Sequence, residues 1–193
     1  MWPHAASKTG STRGPPSPAD GFTGLRDRLE THLLDRLGAQ ARHIRDNLTA
    51  ERNHRTLELY ALIVVALALP QLDPDGDLLQ TGIDEIQANL LTDVRLDGVH
   101  REHSTHYHLI ALRSFLAARD NLRRFGHELP ATYDEHLSRA CDFAMHCHRP
   151  DGVIPALSDS DNGAYDDVLR LAAEVLDRAD LSYVATGGTD GIP

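Results

Sequence analysis

Apolar residues in this 193-residue chain recur at helical spacing over most of its length. The first such segment runs from about Phe22 to Leu48, with Leu25, Leu29, Leu33, Leu34 and Leu37 on its apolar face. The second runs from about Asn53 to Leu69 and is closed by Pro70. A third, from about Asp77 to Leu91, carries Leu78, Leu79, Ile83, Ile86, Leu90 and Leu91. The fourth starts near Ser104 and ends at Phe125, with Gly126 as its C-terminal cap. The fifth spans about Tyr133 to Cys147, and the sixth about Gly163 to Arg178. No segment alternates convincingly as a strand. The expectation is an all-α fold of antiparallel helical hairpins.

The loops that open the even-numbered helices repeat. Asn53 and Tyr107 are 54 residues apart, and so are Tyr107 and Asp161. A two-helix repeat of that length predicts stacked hairpins, as in a solenoid or a closed helical toroid. Helices two, four and six would then form one parallel layer with their N-termini at a common rim. Free backbone N–H groups and positive dipole ends would gather there and favour a carboxylate or another anion.

Composition bounds what the rim could serve. The net charge is −10, so no basic footprint for nucleic acid exists. The longest apolar run, Tyr60–Pro70, is too short to span a bilayer. Residues 1–21 read as a Gly/Pro/Ser-rich disordered leader, and residues 22–180 as the helical domain. No signal peptide is recognised, which places the chain in the cytoplasm, or in the periplasm or outside the cell if the start is not the natural one. Cys141 and Cys147 face different directions on a helix and are poorly placed to bridge.

Twelve histidines are the unusual feature, and four of them fall in "VHREHSTHYH": His100, His103, His106 and His108. Their one-turn spacings suit a metal, but no HExxH pattern accompanies them. A metal-dependent hydrolase built on His100–His108 is one reading. His103 lies four residues before Tyr107, on the same face if the helix extends that far. Tyr107 suits packing on a neighbour or, as a phenol, general base and acid catalysis. Asn53 caps the second helix or, with His54, aims donors at a bound anion. The stretch "SDSDNG" at 158–163 reads as the polar N-cap of helix six, with Asp159 or Asp161 available to orient a rim residue. Glu102 with Asp159 or Asp161 is the one pair of carboxylates that glycoside hydrolysis could use. His146 and His148 receive no role.

Asn53-His54, then Glu102, Ser104, Tyr107 and His108 in an E-x-S-x-x-Y-H arrangement, then "SDSDNG", resemble the heparinase II/III-like polysaccharide lyases over roughly Leu34 to Pro193. The resemblance implies an (α/α) toroid, here incomplete, with residues 181–193 as a connector towards a C-terminal β-sandwich that the sequence lacks. It implies β-elimination at a uronic acid, with no cofactor and no metal. Tyr107, Asn53 and His54 would be catalytic, and His108, His103 and Glu102 would bind substrate. The implied partner is an acidic polysaccharide or oligosaccharide. An open helical layer would further favour self-association or a complementing domain. A helical module that binds acidic carbohydrate without turning it over is the alternative.

Overall fold

The computed structural model describes residues 18–192, with side chains from Gly24 onward. The expected leader lies outside these residues except for its last four, because the first helix, α1, already begins at Pro18 and runs to Asp46. The described residues divide into two units, with the boundary between Leu37 and Gly38 inside α1. In the first unit α1 carries Leu25, Leu29, Leu33 and Leu37 at four-residue intervals.

In the second unit the end of α1 is followed by α2 (Arg52–Ala68), α3 (Asp77–Asp93), α4 (Thr105–Arg124), α5 (Ala131–Cys147), α6 (Asp166–Leu176) and α7 (Ala179–Ala185). A 3₁₀ turn at Pro70–Leu72 ends the second helical run where the proline forbids its continuation. Among the described residues no helix is long and apolar enough to cross a membrane.

Helices α2, α4 and α6 pack side by side, and α3, α5 and α7 form a second row behind them. The even-numbered layer expected from the repeat is therefore present. Two bonds between α4 and the α6 region join residues 54 apart: His106 N–H to Ser160 Oγ, and Arg113 to Asp167. The central helix α4 buries Leu109, Leu112, Phe115, Leu116 and Leu122 against both neighbours. A smaller cluster joins Ala41 at the end of α1 to Leu62, Ala66 and Leu78.

Gly126, expected as a cap, ends α4 in the left-handed region at φ 82°. His127 N–H reaches Leu122 O and Gly126 N–H reaches Arg123 O, which together satisfy two carbonyls of the last turn. Gly98 answers a different demand. A side chain there would begin 2.2 Å from the Arg139 carbonyl oxygen, so the loop after α3 lies directly against α5.

Two expectations need correction. The 149–165 connection contains a short antiparallel pair, β1 (Val153–Ile154) with β2 (Gly163–Ala164). Two residues per strand are too few to leave an alternating pattern. Gly163 is thereby consumed, and α6 begins three residues later than expected. The presumed connector from residue 181 instead continues a helix, α7, with Leu181 and Ala185 buried. Asp177, left-handed at φ 54°, separates α7 from α6.

Candidate functional site

The N-terminal end of α4 meets the 155–165 loop, and the N-terminal end of α2 meets Asp93 and Glu102, just before and in the segment leading into α4. Ser104 is the N-cap of α4, and its Oγ accepts the Tyr107 N–H at 3.2 Å. This explains the S-x-x-Y spacing physically, since an N-cap side chain reaches the third residue of its helix. The Ser104 hydroxyl also bonds Asp159 O and Ser160 Oγ, each at 2.7 Å. Thr105 Oγ1 donates to Pro155 O at 2.8 Å. The loop thus docks on the first turn of α4 through Ser160 and two carbonyls.

That arrangement revises the reading of "SDSDNG". It is not the cap of α6, whose N-cap is Tyr165 with no capping side-chain bond. Asn162 Oδ1 instead accepts the Ala156 N–H and closes the loop on itself. Asp159 contributes its carbonyl, and no hydrogen bond is made by the Asp159 or Asp161 carboxylates among the described residues.

At the start of α2, Asn53 is 6% exposed. Its backbone N–H donates to Glu102 Oε1 at 3.1 Å. Its carboxamide makes no protein hydrogen bond among the described residues. His54, the next residue, is exposed. Arg52 before it is left-handed at φ 76°, and its N–H donates to Asp93 Oδ2 at 2.9 Å. Asp93, fully buried at the end of α3, also receives Arg101 Nη1 on Oδ1 at 3.3 Å. Arg101 in turn meets Glu51 at 2.6 Å. One carboxylate therefore ties the start of α2 to the loop that carries Glu102.

Asp93 was not singled out from sequence, although a signal existed. An acidic residue in the last turn of a helix opposes the helix dipole, so its presence calls for a cationic or N–H partner. Here it has both.

The four clustered histidines occupy four different environments. His100 is buried, with Nδ1 accepting the Glu102 N–H at 3.4 Å and Nε2 lying 3.9 Å from Asp93 Oδ2. Burial lowers its pKa, and the Asp93 carboxylate opposes that shift. His103 is exposed and left-handed at φ 55°. It precedes the N-cap, so helical i,i+4 geometry does not place it beside Tyr107. His106 bonds Tyr165 Oη through Nδ1 at 2.5 Å. His108 is 2% exposed, and both of its nitrogens are engaged: Nδ1 accepts the His100 N–H at 3.3 Å, and Nε2 donates to Ala140 O at 3.0 Å. Burial pushes its pKa down to about 4. His108 is thus a neutral internal brace with no nitrogen left for substrate. Among the described residues no three metal-binding side chains are grouped to hold an ion.

Glu102 also departs from its expected role, because its carboxylate turns towards the α2 backbone. The expectation of free N–H groups at the rim changes likewise. The N–H groups of Arg52, Asn53, His106 and Tyr107 are all taken by protein oxygens. With these four spent, side chains become the main supply of donors. Those placed to donate are the Asn53 carboxamide, His54, and the half-buried Tyr107, whose phenol has no hydrogen bond among the described residues. The Tyr107 ring stands edge-on to His106, with centroids 5.7 Å apart.

Comparison with known proteins supplies the family. The Heparinase II/III N-terminus family model matches residues 25–179. A heparin-sulfate lyase of Bacteroides stercoris is 26% identical over 167 residues, covering 83% of this chain and 25% of its own length. Among solved structures, a heparinase III gene product superposes with a TM-score of 0.70 at 25% identity, over 92% of this chain and 28% of its own. A mutant of heparan sulfate lyase HepC from Pedobacter heparinus gives a TM-score of 0.72 at 24% identity, over 91% and 28%. The chain spans about a quarter of the length of the relatives it matches. The two rows of hairpins correspond to part of the helical toroid of these heparinase III neighbours. The matched span takes in the rim with Asn53 and Tyr107, and the chain belongs to the heparinase II/III family through its N-terminal helical domain.

Proposed function

We propose that the rim binds a uronic-acid-containing polysaccharide and carries part of a β-elimination site. The observation that supports this most is the state of Asn53 and Tyr107. Both sit at the starts of adjacent parallel helices, their backbones are fixed by Glu102 and Ser104, and their polar ends are unengaged by protein. Polar groups held in place without an internal partner are suited to a ligand.

The chemistry follows from the group types. The C5 proton of a uronate is weakly acidic while the neighbouring carboxylate keeps its full charge. The Asn53 carboxamide, with His54, would donate to that carboxylate and stabilise the enolate-like transition state. The ionised Tyr107 phenol would take the C5 proton. The released electron pair forms the C4–C5 double bond as the C4–O4 bond breaks. The proton then passes from Tyr107 to O4, which returns the phenolate. Glu102, His108 and Asp93 act on this set by holding backbone, and His103 lies at its exposed margin.

The test is ultraviolet absorbance of the unsaturated uronate product, with calorimetric binding in parallel, on a panel of polyuronates. Product formation by the chain and its loss in Tyr107→Phe would support elimination at this rim. Binding weakened by Asn53→Ala without any product would favour a carbohydrate-binding module. Neither product nor binding on any polyuronate would reject the proposal.

A further inference from the structure

The chemistry just described leaves one interaction at the rim unused. His106 Nδ1 and Tyr165 Oη are 2.5 Å apart. His106 lies in the first turn of α4, directly before Tyr107, and Tyr165 begins α6. Their rings meet edge-on, with centroids 6.1 Å apart, and the His106 ring is edge-on to Tyr107 as well. The pair therefore joins two helix starts beside the phenol assigned to proton transfer.

The proton inventory of this pair favours one arrangement, because a phenol is a stronger hydrogen-bond donor than an imidazole N–H and an imidazole nitrogen a stronger acceptor than a phenol oxygen. Burial, reinforced by the Asp161 carboxylate, raises the Tyr165 pKa above its ordinary value, so the phenol stays protonated at neutral pH. A phenol that donates to Nδ1 leaves the neutral imidazole with its proton on Nε2. In a charged imidazole Nδ1–H donates to Tyr165 Oη, and Nε2 again carries a proton. Nε2 is an N–H in both states. It has no hydrogen-bond partner among the described residues, and the residue is half-exposed.

We propose that His106 is a saccharide-contacting residue beside Tyr107, its Nε2–H held outward by Tyr165 to donate to an anionic oxygen of the sugar. The proposal rests on the reading of the rim as a uronate site. It follows from a shortage there, because four backbone N–H groups of the α2 and α4 starts are already spent on Asp93, Glu102, Ser160 and Ser104. An acceptor-rich ligand needs side-chain donors, and a donor whose tautomer is fixed in advance loses no free energy to proton rearrangement on binding. The anionic oxygen belongs to a carboxylate or to a sulfate.

Two measurements on the full chain test this. The first is the ¹⁵N spectrum of the His106 ring without ligand, which reports the tautomer whether or not anything binds. The expected result is a proton on Nε2, with mixed tautomers in Tyr165→Phe. A neutral ring protonated on Nδ1 would overturn the proposal. The second is calorimetric titration with an alginate hexamer, which carries carboxylates only, and a heparan sulfate hexasaccharide, which also carries sulfate. His106→Ala is expected to weaken binding roughly tenfold, the value of one charge-assisted hydrogen bond. His106→Gln, whose amide reaches the place of Nε2, is expected to retain most of the affinity. Equal loss on both ligands assigns a carboxylate, and loss on heparan sulfate alone assigns a sulfate. Unchanged binding in His106→Ala, with Asn53→Ala weakened, rejects His106 and leaves the rim reading intact. If neither ligand binds the unaltered chain, the rim reading fails and this proposal fails with it.

Discussion

The Glu102 carboxylate accepts the backbone N–H of Asn53 at 3.1 Å, joining two loops that lie 49 residues apart. The bond anchors the Asn53 backbone at the start of α2. Glu102→Ala is expected to cost about 1 kcal/mol of stability, from one half-buried hydrogen bond and one acidic group at a helix start. On the proposed reading of the rim, the loss of polyuronate affinity should be larger in relative terms, because Asn53 loses its anchor. Denaturant unfolding beside calorimetric titration measures both. A stability loss with full affinity would show that Asn53 is positioned without Glu102.

Asp93 is a more demanding case. It is fully buried, and its removal leaves the Arg52 N–H without its acceptor and Arg101 without its inner partner. Asp93→Ala is expected to destabilise by about 3 kcal/mol. The partial exposure of Arg101 moderates the loss, since water can replace one contact. A change below ~1 kcal/mol in urea unfolding would show that the left-handed Arg52 backbone is held by other means.

Stability should fall on acidification in a window set by His108. Its folded pKa of about 4 lies below the ordinary 6.5. Below pH 6.5 the unfolded chain binds a proton that the folded chain refuses, so stability falls as pH drops from 6.5 towards 4. The loss between pH 7.5 and 5 is about 2 kcal/mol from this group. Burial shifts His100 in the same direction and adds to the slope. His108→Gln, which can still donate to Ala140 O, should flatten the dependence. An equally steep profile in that variant would place the titration elsewhere.

Ser104 holds both its own helix and the neighbouring loop. Ser104→Ala removes the N-cap of α4 and the bonds to Asp159 and Ser160. A loss of about 2 kcal/mol is expected, with faster amide exchange at Tyr107 and across residues 155–160. Protection retained in the loop would mean that Thr105 and Pro155 suffice to dock it.

The helices and their order were legible because α2, α3 and α4 are long and keep a helical period. The start of α4 was legible for a separate reason, since the serine-to-tyrosine spacing is the reach of an N-cap. The inward turn of His108 and Glu102 was not. Residues 94–103 are not helical: Val94 and His100 form an isolated bridge, and His103 is left-handed. Spacing rules borrowed from helices therefore misplace the histidines. Asp93 escaped notice because its partners come from two other segments. The seven residues of α7 and the two-residue strands were too short for any period to register.

The bonds from His106 to Ser160 and from Arg113 to Asp167 both close 54 residues of chain. The start of α2 and Tyr60 within it bond Glu102 and Asn121 over 49 and 61 residues, so both docking steps close loops of similar length at similar conformational entropy cost. Such a layer is built by serial addition, each finished hairpin serving as the template for the next.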